Sequence, residues 1–388
     1  MEDNIRINRL VIIGNGFDLA HGLKTSYKDF IRWYLDDFFE NLFKSKEDIS
    51  YNDDGLLNIK LLSRQRYTFY FKNSTINGSA MAAYKESNGL TSLEFLTELE
   101  NIINSPQMSF PYVKKSEFLE RILKNIDTKG WTDIESDYYA LLKENADNID
   151  VCKNLNEQMD FLRNKLAEYL RSQKTDKYNP GILIDICKNI EEKNEIAQSV
   201  IKNFDAYIKK NILEFSNDYC EIKNIMVLDF NYTSTTELYI SPKFINHIHG
   251  TLDKTNSMIF GYGDEMDKDF QGLVDRNENE LLKNTKSIKY LEDDKYRKLL
   301  DFIEEGQFQV NIMGHSCGNS DRTLLHTIFE HENCISIKPF YYKWGEKEGE
   351  DTYSDITRNI YRNFKDKVLF RDRVVDKTRC EPMPQLEK

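Results

Sequence analysis

Apolar and polar positions follow three different rhythms along this chain. Residues 10–13, Leu-Val-Ile-Ile, form a continuous apolar run closed by Gly14-Asn15-Gly16. Such a run, bounded by a turn, predicts a strand buried on both faces, as in a parallel sheet. From about Ser26 the period becomes helical, with Phe30, Trp33, Tyr34, Phe38 and Phe39 at helical spacing. Residues 50–90 are irregular and polar, with a strand signal around Tyr67 to Phe71. From about 91 to 219 the helical period dominates. Leu162, Leu166, Tyr169 and Leu170 carry it in one stretch, and Ile196, Val200, Phe204 and Ile208 in another. Asn179-Pro180-Gly181 breaks the helices between them. Strand signals return at 225–230, 243–248, 258–260, 308–313 and 334–340, separated by helical patterns around 280–304 and 320–331.

Strands alternating with helices predict an α/β protein with a doubly wound, mostly parallel sheet. The expected organisation is a discontinuous core of residues 1–90 and 220–345, a helical insertion at 91–219, and a charged peripheral tail at 346–388. Composition narrows the setting. No window approaches the ~18 consecutive apolar residues of a membrane span. The opening Met1-Glu2-Asp3-Asn4 lacks the basic and apolar regions of a secretory signal, so a cytoplasmic location and no membrane association are expected. The cysteines at 152, 187, 220, 317, 334 and 380 form no C-x-x-C pair, which argues against a zinc ribbon or disulfide framework. A net charge of -12 argues against general nucleic-acid binding, which needs clustered Lys and Arg. A small anionic ligand stays possible, because backbone N–H groups hold one unaided.

Chemistry concentrates in a few short segments. Gly14-Asn15-Gly16-Phe17-Asp18 follows a buried strand and opens a helix, the order that lets backbone approach a pyrophosphate closely. A dinucleotide fingerprint would have its third glycine at Leu19, and the alternative is a plain strand-to-helix turn. Asn231, in Asp229-Phe230-Asn231-Tyr232-Thr233, falls just past a strand, where open α/β sheets take ligands. Its amide suits a ribose hydroxyl or a water; the alternative is an N-cap for a helix at 234–239. His247-Ile248-His249-Gly250 closes another strand. Two imidazoles on one face suggest a metal pair, but no third ligand is evident, and no metal is expected. A lone base at His249, neutral at cytoplasmic pH, and a hydrogen-bonded structural histidine are the other readings. Gly314-His315-Ser316-Cys317-Gly318 matches the G-x-S-x-G elbow of α/β-hydrolases. His326 and His331 follow too soon to leave room for that fold's acid and histidine strands, and a second ligand-facing loop with Asp321 beyond it fits equally. Trp131-Thr132-Asp133-Ile134-Glu135 reads as a helix start with acids in its first turn.

Taken in order, these segments resemble the bacteriophage abortive infection AbiH family. The resemblance runs over about residues 8–342. It is carried by Val11-Ile12-Ile13-Gly14-Asn15-Gly16-Phe17-Asp18-Leu19-Ala20-His21-Gly22-Leu23 with Thr25-Ser26-Tyr27, then by the segments at 131–135, 231–233, 247–250 and 314–316. Lys24 stands where the family usually has Pro. The resemblance implies a role in phage defence. The same order is similar, more distantly, to the sirtuin-type NAD-binding fold, a Rossmann-like architecture. That likeness implies Gly14 and Gly16 at the pyrophosphate with Asn15, Phe17 and Asp18 around it, Asn231 at the ribose and a water, and His249 as base. Gly314 and Ser316 would contact the adenosine side, with His315 and Asp321 in the same loop. Sirtuins carry a zinc ribbon, and Ala in the first turn where this chain has Asn15. What remains implied is plain NAD hydrolysis rather than protein deacylation.

The expectation is therefore an NAD glycohydrolase in which Asn231 places a water and His249 takes a proton, with NAD as substrate or ligand. A phage-encoded trigger, or self-association through the helical insertion, would be its partner. Two other functions remain open: a non-catalytic nucleotide sensor that engages a partner, and a serine hydrolase acting through Ser316.

Overall fold

The computed structural model describes residues 6–44, 48–69, 74–103, 111–129, 133–187, 190–192, 195–197, 219–254, 257–345, 347 and 349–386. The chain divides into two compact units, Met1–Thr25 with Leu170–Lys388, and Ser26–Tyr169. No helix among the described residues is long and apolar enough to cross a membrane.

The first unit is built on β1 (Arg6–Ile13). Helix α1 (Asn15–Ala20) follows it, and after the second unit come α2 (Pro180–Cys187), β2 (Ile190–Glu192) and β3 (Tyr219–Asp229). Then come β4 (Ile245–His247), α3 (Lys295–Glu304), β5 (Phe308–Met313), α4 (Arg322–Phe329) and β6 (Cys334–Phe340). Helices α5 (Tyr353–Asn363) and α6 (Lys367–Arg373) close the chain. Five strands run parallel in the order β6-β5-β1-β3-β4, and β2 lies antiparallel beside the start of β3. The chain thus winds outward from β1 through β3 and β4, then returns to the other side of β1 for β5 and β6. The strand order reverses between β1 and β5.

The apolar run predicted for β1 is buried on both faces. Val11 and Ile13 pack with Phe17, Ile182, Ile186 and Val227 on one side. Leu10 and Ile12 pack with Leu228, Ile303, Val310, Leu325 and Ile328 on the other. Successive side chains of a strand point to opposite faces, so a run apolar at every position needs cover on both. Each such aliphatic side chain contributes roughly 1.5–3 kcal/mol on full burial.

Several expectations are corrected. Asn179-Pro180-Gly181 starts a helix rather than merely breaking one. Pro180 has no N–H to waste at the first helical position, and Asn179 Oδ1 accepts from the Gly181 N–H at 2.9 Å. Met258, Ile259 and Phe260 are buried but form no strand; the local ladder is one parallel bridge, Tyr262 to Thr285. That bridge also splits the helical pattern at 280–304. The Asn284 carbonyl and Lys286 N–H bond to Tyr262, so helices stop at Asn279–Leu282 and Lys286–Lys289 before α3 begins. The C-terminal residues are more than a charged peripheral tail. Ile360 and Phe364 join the main core, and the Val375 N–H donates to the Ile337 carbonyl at 2.9 Å. Of the residues that carry the second helical stretch at 196–208, Ile196 is described and buried; Val200, Phe204 and Ile208 lie outside the described residues.

The second unit opens with a helix, Tyr27–Lys44, which buries Phe30, Tyr34, Phe38 and Phe39 as the periodicity predicts. The stretch 50–90, read as irregular apart from the signal at Tyr67, holds more strands: Ile49–Asp53 and Leu57–Leu62 form an antiparallel sheet with Tyr112–Lys115 from the block expected to be helical, and Arg66–Phe69 pairs with Ser74–Asn77. Phe71 lies outside the described residues. The unit boundaries fall at 25/26 and 169/170 rather than at the expected 90/91 and 219/220. Aromatic packing explains the first: Phe39 and Phe69 both pack on Phe95, 5.2 and 6.0 Å between ring centres, which ties the first helix and the strands to the helical segment. Asp133 caps the helix Ile134–Glu144 by accepting from the Ser136 N–H; Trp131 and Thr132 lie outside the described residues.

Candidate functional site

Four loops leave the carboxyl ends of β1, β3, β4 and β5, and they meet. Asn231 Nδ2 donates to the Gly14 carbonyl at 3.1 Å, joining the loops after β3 and β1. The Phe230 ring stands between His249 and His315, 4.9 and 4.3 Å between ring centres, joining the loops after β4 and β5. The Gly16 N–H donates to the Gly314 carbonyl at 2.8 Å, joining those after β1 and β5.

The last contact explains the glycines. A Cβ on Gly14 would lie 2.6 Å from His315 Cα, and one on Gly16 would lie 2.8 Å from Gly314 Cα. Gly314 has a φ of +76°, and a Cβ there would meet the Phe17 nitrogen at 2.2 Å. The two loops interlock backbone against backbone, which only glycine allows. The Gly16 N–H, expected at a pyrophosphate, is therefore engaged by the neighbouring loop. Asn15 is exposed and accepts from the Thr25 hydroxyl at 2.6 Å. Phe17 and Asp18 turn inward: Phe17 packs on His21 and Tyr239, and both Asp18 oxygens accept from Thr233 Oγ1. Gly250 also answers to packing, since with φ +86° its Cβ would sit 2.2 Å from the Ser257 carbonyl.

Beneath Asn231 lie two buried acids. Asp229 accepts from the Asn231 N–H at 2.8 Å and from Thr236 Oγ1 at 2.6 Å. Burial pushes its carboxyl up to about 8, against those two donors, with Asp18 nearby adding to the rise. Burial likewise raises Asp18 to about 6, opposed by the hydroxyls of Thr235 and Thr233. Asn231 is no N-cap: the turn Thr235–Leu238 follows Ser234, and the Asn231 side chain ties β3 to β1 instead. A carbonyl only accepts, so Nδ2 faces Gly14 and Oδ1 is left as an acceptor.

The densest chemistry surrounds Asp321, at the start of α4. Its Oδ1 lies 2.7 Å from Lys286 Nζ and 3.2 Å from His249 Nε2, and its Oδ2 lies 3.6 Å from His315 Nε2. Tyr290 Oη stands 3.1 Å from the same His249 nitrogen. Burial alone would raise the Asp321 carboxyl; the Lys286 ammonium first, then His249, overcome this and hold it well below the usual range. Burial lowers His249 to about 4, and the Lys286 ammonium pushes the same way, so His249 is neutral. His249 is 5% exposed and Lys286 0%.

Lys286 and Tyr290 were not marked by the sequence, where Lys286 sits among ordinary polar residues. The bridge from Thr285 to Tyr262 delivers Lys286, and Gly263 leaves room for its stem. The only available signal was that 280–304 is too rich in Asn, Thr and Ser near 284–287 for an unbroken helix.

The two histidines of the His-x-His segment part company. His247 lies 3.7 Å from Asp229 and 3.7 Å from Glu237, whereas His249 turns to Asp321. Strand β4 ends at His247, so the alternation that would put both on one face does not continue. Ser316 is exposed, and among the described residues no imidazole bonds its hydroxyl. His315 is held by Cys317 and Asp321, His326 by the Asn363 carbonyl, and His331 by Glu304.

A family model described as bacteriophage abortive infection AbiH matches residues 10–343. Neither the curated proteins nor the solved structures contain a match.

Two measurements check this geometry. Overpacking costs typically ~1–3 kcal/mol, so Gly16→Ala is expected to lower stability by about that amount. Gly314→Ala is expected to cost more, because positive φ adds strain. Gly318→Ala, whose Cβ would meet only Ser316 Oγ at 3.6 Å, is expected to be near neutral. Equal melting temperatures for all three would contradict the interlock. The second measurement concerns Asp229, whose folded pKa of about 8 exceeds the ordinary 3.8. Between about 3.8 and about 8 the folded chain therefore keeps a proton that the unfolded chain has released, so stability falls as pH rises across that window and levels off above about 8. Thermal unfolding from pH 5 to 8 is expected to show a smaller decline for Asp229→Asn than for the parent; identical slopes would refute the assignment.

Proposed function

The chain belongs to the bacteriophage abortive infection AbiH family, and on that premise we propose that its first unit takes NAD at the carboxyl ends of its parallel strands and hydrolyses the nicotinamide–ribose bond. One observation carries this reading: the loops bearing Gly14, Asn231, His249 and His315 converge where the strand order reverses between β1 and β5. Rossmann-like sheets take dinucleotides at such a reversal. The sirtuin-type likeness in the order of the segments supports the same reading.

The chemistry asks little of the protein. Departure of nicotinamide leaves an oxocarbenium-like ribose, and water completes the product as ADP-ribose with release of a proton. Asn231 Oδ1 accepts from that water or from a ribose hydroxyl. Neutral His249 accepts the proton, a contribution of ~10²–10⁴-fold. Alignment in a dry site supplies the remainder. Loss of NAD arrests an infected cell, in keeping with abortive infection. Dependence on a phage-encoded trigger or on self-association would keep an enzyme otherwise harmful to its host silent until infection.

A second reading rests on burial. His249, Lys286 and Asp321 are all nearly closed off and paired with one another. That favours a sensor in which the same loops bind a nucleotide without turnover. Nicotinamide release by purified full-length protein separates the two. The parent is expected to release it, and Asn231→Ala and His249→Ala to lose ~10²-fold or more. Intact NAD that nevertheless raises the melting temperature would favour the sensor. Full turnover in both variants would end the proposed mechanism.

A further inference from the structure

We propose that Asp321 and Lys286 are positioning residues that hold the His249 imidazole with its hydrogen on Nε2 and leave Nδ1 as the proton acceptor of the site. Its use as a base rests on the hydrolysis proposed above; the arrangement itself rests on the hydrogen-bond accounting around one carboxylate.

An ionised carboxylate only accepts. Asp321 therefore requires a hydrogen on each nitrogen that faces it. Lys286 Nζ supplies one at 2.7 Å and His249 Nε2 faces it at 3.2 Å, while His315 Nε2 lies 3.6 Å away, a longer electrostatic contact. The opposite arrangement, with the Tyr290 hydroxyl donating to a bare Nε2, would set an imidazole lone pair against a buried negative charge.

The same accounting distinguishes the two histidines. His315 Nδ1 accepts from the Cys317 N–H at 3.0 Å, and Cys317 adopts a left-handed φ of 55° beside it. His315 Nδ1 is thus taken, and its Nε2 faces the Asp321 carboxylate. His249 Nδ1 makes no hydrogen bond among the described residues, so of the two imidazoles facing Asp321 it is His249 whose Nδ1 keeps a lone pair for a substrate proton.

Lys286 keeps Asp321 an acceptor. With its ammonium removed, the buried carboxyl would take a proton from solvent and become a donor. Facing Nε2, it would donate there and move the imidazole hydrogen to Nδ1, where the lone pair is needed. Replacing a buried aspartate behind a catalytic histidine by asparagine acts by the same tautomer exchange.

The test is a long-range ¹H–¹⁵N spectrum of full-length protein labelled at histidine, with His249 assigned by loss of its signals in His249→Gln. The parent is expected to show a protonated Nε2 and a bare Nδ1. Asp321→Asn and Lys286→Met are expected to shift His249 toward the Nδ1-protonated form, and Lys286→Arg to restore the parental pattern. A parental spectrum with hydrogen on Nδ1 would overturn the proposal. So would an unchanged pattern in both Asp321→Asn and Lys286→Met. If Lys286→Met does not fold, the parent and Asp321→Asn still decide. Nicotinamide assays on the same samples separate the two claims. The expected tautomer with no nicotinamide release would sink the hydrolysis alone; release with hydrogen on Nδ1 would sink the positioning alone.

Discussion

A buried negative charge is stable only where opposite charge and hydrogen-bond donors are brought to it. Asp321 is such a charge, and the first unit is arranged around it. Helix α4 presents the carboxylate; the loop after β4 brings His249, the loop after β5 brings His315, and the segment around Thr285 brings Lys286. The Lys286 ammonium is the largest of the interactions that hold that carboxylate ionised against burial. The ends of separately wound strands are thus tied to one point.

Backbone packing supports that point from below. The interlocked glycines at 14, 16 and 314 bring β1 and β5 closer at their ends than side chains would permit. Asn231 crosses from β3 to the Gly14 carbonyl, and the Asp229 and Asp18 carboxyls sit under it among threonine hydroxyls. Burial raises both carboxyls, Asp229 to about 8, where it is largely neutral at pH 7, and Asp18 to about 6, the opposite direction from Asp321. The difference is the neighbour: threonines offer hydroxyls, whereas Lys286 offers a full positive charge.

Much of the architecture was legible. The apolar run at 10–13, the return of strands at 225–230, 308–313 and 334–340, and the aromatic face of Tyr27–Lys44 all appear where periodicity put them. Met258–Phe260 misled because burial makes an irregular segment as apolar as a strand. The C-terminal segment misled because α5 buries chiefly Ile360 of its own residues, with Phe364 just beyond it, too few to outweigh its charges. At the site, Asn231, His249 and the two glycine loops were visible as motifs beside strand ends. Their partners were not, since hydrogen bonds across hundreds of residues leave no local pattern.

The sequence by itself determined the alternation of strands and helices, the glycines that a close backbone approach demands, and the order of segments shared with the AbiH family, because each of these depends on neighbours along the chain. Tertiary structure alone decided which way the glycines face, that His247 and His249 serve different carboxylates, and that Lys286 stands beside Asp321. Those outcomes follow from strand order and crossover, which set distances between residues far apart in the chain, and charge pairing in a low-dielectric interior depends on those distances.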